Sequence, residues 1–321
     1  MSKPKILVTR RVPQECLDLL KPHFELEHFN KGVAIPRKAL LKSVKDKDGL
    51  LCLLTDKIDS ELLAAAPALK AVSTFSVGYD HIDVPACKAR GVAVTNTPGV
   101  LTESTADFTW ALLMSAARRV VEGDAYMRGG KYLGWDPLML LGTDVFGKTL
   151  GIIGFGRIGQ AVAKRASGFS MKVVYYDTRR AAPEHEAALN ARFVPLDELL
   201  RESDYVSVHT VLDEGTRHLL DDRAFGLMKK SAYLINAARG PIVDEKALVR
   251  ALKADKIRGA GLDVYEWEPK MAPGLVACRN AVLAPHLASA TLETRVKMGQ
   301  MAAAGLIDGL IKKVRSPFRV D

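Results

Sequence analysis

Six residues near the middle of the chain, Gly154-Phe155-Gly156-Arg157-Ile158-Gly159, put glycine at the first, third and sixth positions. They follow an apolar run at 150–153 and open a segment with helical spacing at 157–166. A strand, a glycine turn and a helix in that order can hold a pyrophosphate. The first glycine permits the tight turn, the second lets backbone N–H groups approach the anion, and the third lets the helix pack close to the strand. Asp177 lies 18 residues past Gly159, at the end of the next strand-like run, where a carboxylate can accept from the adenosine ribose hydroxyls. An acid there repels a 2′-phosphate, so NAD(H) is expected in preference to NADP(H), while Arg179 and Arg180 just after it keep NADP(H) open.

A nicotinamide cofactor supplies only hydride, so a carbonyl substrate also needs a proton donor and a group that orients it. Residues 236–240, Asn-Ala-Ala-Arg-Gly, follow a strand-like run and put Arg239 at the carboxyl edge of a sheet, where ligands bind in open α/β folds. A guanidinium fork can grip an α-keto carboxylate at two points. His286, after Pro285, ends another such run and suits a general acid near neutral pH. Glu268, beside Pro269, could orient that imidazole and favour its charged form. Spacing alone reads His286 equally well as a structural histidine, and of the other six only His209 also ends a strand.

Two series of βα units must carry these residues. Strands are expected at 5–9, 49–55, 70–74 and 92–95, with helices at 13–20, 59–65 and 84–89. Asn96-Thr97-Pro98-Gly99 punctuates the chain, and a long helix is expected at 104–127. A second series begins at 149–153 and continues through 172–176, 205–209, 232–236, 259–264 and 281–284, and a last helix at 292–313 is long enough to return to the first domain. The 321 residues carry a net charge of +9, but the basic pairs are scattered among acids and no nucleic-acid motif accompanies them. The four cysteines show no C-x-x-C spacing, which argues against a zinc knuckle or a disulfide framework, and no metal site is expected. No run approaches the length of a membrane span or a signal segment, so the expectation is a cytoplasmic protein with neither membrane nor nucleic acid as partner.

With these motifs in view, the sequence resembles the D-2-hydroxyacid dehydrogenases, and within them the glyoxylate and hydroxypyruvate reductases. The likeness runs over essentially the whole chain and rests on residues 75–83, 154–159, 234–240, 261–269 and 285–289. It implies two doubly wound parallel-sheet α/β domains, with a Rossmann NAD(P)-binding domain at 100–287 inserted into a flavodoxin-like substrate domain of 1–99 and 288–321. It implies Arg239, Glu268 and His286 as the catalytic set, separated by 29 and 18 residues. Arg239 would bind the carboxylate and carbonyl, His286 would give the proton, and Glu268 would keep His286 protonated. The backbone of Val77 and Gly78, together with Ser289, would complete the substrate site. Beyond the glycine turn and Asp177, the cofactor would meet Thr105, Thr178, Arg179, His209, Thr210, Thr216, Ala237, Ala238, Arg239, Asp263 and His286. The helix at 104–127 and the loop after it resemble a dimer-forming arm, with Trp135 reaching the partner subunit's substrate site in a homodimer; Trp135 as plain core is the alternative.

The chain departs from the family pattern twice. His209-Thr210-Val211-Leu212-Asp213 stands where His-x-Pro-Leu-Thr is usual, and Ala288 where glycine is usual. The resemblance implies reduction of a small 2-oxo acid by NAD(P)H. A dinucleotide-sensing protein like the corepressors of this fold and a phosphite dehydrogenase are the competing readings. Formate dehydrogenases carry glutamine at the Glu268 position, and regulated phosphoglycerate dehydrogenases carry a further C-terminal domain.

Overall fold

The computed structural model describes residues 2–320. The chain runs through β1 (Lys5–Val8), α1 (Gln14–Leu20), β2 (Glu25–His28), α2 (Arg37–Ser43), β3 (Gly49–Cys52), α3 (Ser60–Ala65), β4 (Ala71–Thr74), α4 (Val84–Ala89) and β5 (Ala93–Thr95). It continues through α5 (Thr102–Ala117), α6 (Val120–Arg128), β6 (Thr149–Ile153), α7 (Arg157–Ala166), β7 (Lys172–Tyr176), α8 (Pro183–Leu189), β8 (Ala191–Phe193) and α9 (Leu196–Glu202). Then come β9 (Tyr205–Val208), α10 (Asp222–Leu227), β10 (Tyr233–Asn236), α11 (Glu245–Lys253), β11 (Gly259–Leu262), β12 (Ala281–Leu283) and α12 (Leu292–Ile307). Two compact units result: one runs to Leu101 and resumes at Ala290, the other is Thr102–Ser289.

The first unit holds a five-stranded parallel sheet in the order β2-β1-β3-β4-β5. Such a sheet needs cover on both faces. One face packs on α2, α3 and α4 through Leu50, Val72, Val94 and their neighbours. The other face lies under α1 and α12, where Ser73 Oγ donates to the Ala302 carbonyl at 2.8 Å and Gly305 lets α12 come close to Thr95. The strand expected at 49–55 stops at Cys52 because the Asp56 carboxylate accepts from Leu53 N–H at 2.8 Å and turns the chain.

The second unit holds a seven-stranded parallel sheet, β12-β11-β10-β9-β6-β7-β8. The strand order reverses between β6 and β9, which makes a topological switch point at their carboxyl ends, the Rossmann arrangement. Clusters of buried apolar residues cover both faces, one under α9, α10 and α11, the other under α5 and α7. Among the described residues no helix is long and apolar enough to cross a membrane.

One expectation needs correction. The helix at 104–127 is two helices, broken where Arg119 takes a left-handed φ of 55°. The Ala117 carbonyl there accepts from Thr143 N–H at 2.8 Å, a bond from a distant segment that ends α5. The edge strand β2 and helix α2 are not among the elements the sequence predicts. Glu25–His28 has polar residues at three of four positions and alternates between exposed and half-buried, so no apolar run announces it.

Candidate active site

Everything in the glycine turn is backbone. Gly154 has φ +91°, and a Cβ there would stand 2.5 Å from Thr210 N, so the turn after β6 and the loop after β9 touch through a missing side chain. A Cβ on Gly159 would meet the Gly154 carbonyl at 2.2 Å, which is how α7 reaches its strand. A Cβ on Gly156 would meet nothing within 4 Å, and α7 starts there without a side-chain cap. An open cradle before a ten-residue helix fits a dinucleotide's phosphates. Phe155 turns its ring inward onto Tyr175, stacked at 3.9 Å, while its N–H donates to Asp177 Oδ2 at 2.7 Å. Arg157 is exposed and Ile158 half-buried at the first turn of α7.

A cavity of about 470 Å³ opens at the switch point and is lined by Gly154, Asp177, Thr178, Thr210 and Thr216, together with Asp213 and Glu214. Thr105 is buried on α5, and Ala237 is buried just past β10, with Ala238 half-buried beside it. His209 bonds through Nε2 to Ser207 Oγ at 2.8 Å, and burial pushes its pKa down to about 3, which keeps the ring neutral. Arg180 is held by Glu186 at 2.9 and 2.8 Å, and Arg179 is exposed with its N–H on Asp177 at 3.3 Å.

Arg239, Glu268 and His286 come together at the ends of β10, β11 and β12. The buried Asn236 shapes the first loop, accepting from Ala238 N–H and donating to the Arg239 carbonyl, both at 3.0 Å. Gly240 then passes so close to Tyr265 that a Cβ would stand 1.9 Å from its carbonyl carbon. Only glycine brings the Arg239 loop this near the Glu268 loop. His286 Nδ1 meets Glu268 Oε2 at 3.0 Å, and Glu268 Oε1 accepts from Tyr265 N–H at 3.1 Å. Both side chains stay about one third exposed, at 30% and 35%. Burial would raise the Glu268 carboxyl, but the His286 hydrogen bond and charge, the Tyr265 N–H and the Arg239 charge together hold it below its ordinary range.

Sequence reasoning missed what holds His286 in place. Asp263 is fully buried, and three consecutive N–H groups converge on it. His286 donates to its carbonyl at 2.9 Å, Leu287 to Oδ1 at 2.6 Å and Ala288 to Oδ2 at 2.7 Å. This grip maintains His286 in the left-handed region, φ 57°, which non-glycine residues rarely occupy. Burial pushes the Asp263 carboxyl up, against the pull of those N–H groups. Glu245 does similar work for the preceding loop, accepting from Glu266 N–H at 2.8 Å and Ala272 N–H at 2.6 Å. The only hint of it in the sequence is an acid opening α11.

The other expected residues are placed separately. Val77 and Gly78 lie in the turn after β4, in the first unit, their carbonyls held by Asn96 Nδ2 at 2.8 Å and Ser76 Oγ at 2.6 Å. Ser289 closes the second unit, half-buried. Trp135 is 79% exposed and so is not core. Among the described residues no group of three His, Cys, Asp or Glu is placed to hold a metal ion.

Residues 110–288 match the family model for the D-isomer specific 2-hydroxyacid dehydrogenase NAD-binding domain. The chain belongs to the D-isomer specific 2-hydroxyacid dehydrogenase family. Among its relatives, a glyoxylate reductase of Korarchaeum cryptofilum is 51% identical over 95% of this chain and 92% of that protein. One from Thermococcus gammatolerans is 48% identical over the same shares. A crystal structure of a glyoxylate reductase from Paecilomyes thermophila superposes with a TM-score of 0.88 at 33% identity, over 100% of this chain and 99% of that one. An NADPH-dependent glyoxylate/hydroxypyruvate reductase of Sinorhizobium meliloti, solved with NADP and malonate, gives 0.85 at 31%, over 99% and 97%. As a 2-hydroxyacid dehydrogenase with an NAD-binding domain the chain is an NAD(P)-dependent oxidoreductase acting between 2-oxo and 2-hydroxy acids.

Proposed function

We propose that this dehydrogenase reduces small 2-oxo acids, glyoxylate and hydroxypyruvate, with NADH. The observation that carries the reading is the 3.0 Å bond between His286 and Glu268 beside the Arg239 loop. The nicotinamide cofactor, when bound, supplies the hydride. Arg239 grips the substrate carboxylate and polarises its carbonyl through its planar fork. His286 delivers the proton to the carbonyl oxygen, and ionised Glu268 favours the imidazolium that does so. The names of the glyoxylate reductase relatives support the substrate class.

The residues of the glycine turn hold the phosphates by their N–H groups, and Asp177 takes the ribose hydroxyls. Thr178, Thr210 and Thr216 line the adenosine end, where Asp177 disfavours a 2′-phosphate and Arg180 is already engaged by Glu186. In this reading the N–H groups of Val77 and Gly78, with Ser289, complete the carboxylate site, and Thr105, His209, Ala237, Ala238 and Asp263 adjoin the cofactor. The enzyme acts as a homodimer. That part is supported by the exposed apolar residues concentrated in one stretch of sequence, Val120, Val121, Leu133, Trp135, Leu138 and Phe146, of which Leu133 is 99% exposed. Trp135 is the contribution of this stretch to the partner's substrate site.

The test is turnover of a panel containing glyoxylate, hydroxypyruvate, larger 2-oxo acids and phosphite, each with NADH and with NADPH. Highest kcat/KM for the two small oxo acids with NADH is expected. Turnover confined to phosphite, or preference for NADPH, would overturn the corresponding part.

A further inference from the structure

The cavity at the switch point carries more negative charge than a ribose contact needs. Asp177, Asp213 and Glu214 all line it, and no Lys, Arg or His is among its lining residues. Asp177 comes from the end of β7 and the other two from the loop after β9, so the acids reach the cavity from two strand ends. Asp213 is fixed there. Thr216 N–H donates to its Oδ1 at 2.9 Å, and Thr216 Oγ1 accepts from Asp213 N–H at 2.8 Å while donating to the Val211 carbonyl at 2.7 Å. The cations nearby in sequence do not offset this: Arg180 is tied to Glu186, and Arg179 and Arg217 are exposed and do not line the cavity. Asp213 also stands at one of the two places where this chain leaves the family pattern, where threonine is usual.

We propose that Asp213 and Glu214 are specificity-determining residues that exclude adenosine ligands bearing a 2′-phosphomonoester while admitting those with free ribose hydroxyls. The inference rests on the NADH reading above and adds two residues to it. A phosphomonoester carries about −1.5 to −2 charges at pH 7, whereas a hydroxyl carries none. The 5′-phosphate is common to both ligands, so each carboxylate within a Debye length, about 10 Å at 0.1 M salt, repels the first ligand more than the second by the charge of the added 2′-phosphate. Asp177 differs in kind, because in that reading it also accepts from the ribose hydroxyls, of which the 2′-phosphate ligand keeps only one.

The experiment is calorimetric binding of 5′-AMP and adenosine 2′,5′-bisphosphate to the full chain, in native form, as Asp213→Asn with Glu214→Gln, and as Asp177→Asn. Asparagine keeps an acceptor for Thr216 N–H, and thermal melting checks the fold. Glu214→Gln alone, at an exposed side chain without a hydrogen bond among the described residues, guards against a folding artefact. The double variant should narrow the affinity gap between the two ligands by about tenfold, mostly through tighter bisphosphate binding, and Glu214→Gln alone by about threefold. Raising salt from about 0.02 to about 0.5 M should shrink the native gap and move the double variant less. Asp177→Asn should instead weaken 5′-AMP itself. An unchanged gap in the double variant, with the native chain still favouring 5′-AMP, overturns this proposal alone. A native chain that binds the bisphosphate at least as tightly overturns the NADH reading and this proposal with it.

Discussion

The turn between β6 and α7 and the loops that follow β11 and β12 stand at the same carboxyl edge of one sheet. In the first, side chains are removed: Gly154 and Gly159 allow backbone to touch backbone, and Gly156 leaves space for a ligand. In the second, carboxylates are added: Asp263 collects the N–H groups of residues 286–288, Glu245 those of 266 and 272, and Glu268 holds the imidazole. A backbone cradle suits an anion bound in every turnover. A side-chain cluster suits a proton that must leave and return. Damage to one region should therefore spare the other.

The largest effects are expected in the side-chain region. His286→Ala should lower kcat by about 10² to 10⁴ across the pH range, the contribution of a positioned proton donor, with NADH affinity unchanged in a fluorescence titration. Arg239→Lys should cost about 10² to 10³ in kcat/KM, since an ammonium cannot reproduce the planar two-point grip. Native turnover in either variant would remove that residue from the catalytic set. In the backbone region, Gly154→Ala places a methyl group against Thr210 at a left-handed φ. It should weaken NADH by about tenfold while kcat at saturating cofactor stays near native, the opposite split. Equal losses in both parameters would show that the two regions are one cooperative structure.

Glu268→Gln is the subtlest test. Glu268 is held below its ordinary range, so it is a carboxylate at neutral pH, 3.0 Å from His286 Nδ1. Glutamine keeps the shape and removes the charge, and the imidazolium proton then leaves more readily. The upper limb of the reductive pH profile should move to lower pH, with little change at its acid end. An unmoved profile would reduce Glu268 to a structural partner.

The two regions also differ in how far the sequence reveals them. The glycine turn is legible because its meaning is local: spacing, a preceding strand and a following acid lie within a few tens of residues. Arg239, Glu268 and His286 are legible as residue types at strand ends. Their meeting is not, since it depends on Gly240 passing Tyr265 and on Asp263 gathering N–H groups from 23 to 25 residues downstream. No periodicity encodes such tertiary bonds. The break between α5 and α6 was hidden for the same reason, because the bond that ends α5 comes from Thr143.

The chain order gives α12 a place in the folding of this protein as well as in its fold. The first unit has all five strands and α1 once Thr95 has been made, but the part of the sheet face at Ser73 and Thr95 that α12 covers waits for residues 292–307. At roughly 5 to 20 residues per second, translation separates those events by about 10 to 40 s. The second unit, one continuous stretch, can complete its own sheet in that interval. The chain must therefore be synthesised past the whole second unit before α12 can complete the first, and for that time one apolar sheet face lacks the α12 part of its cover.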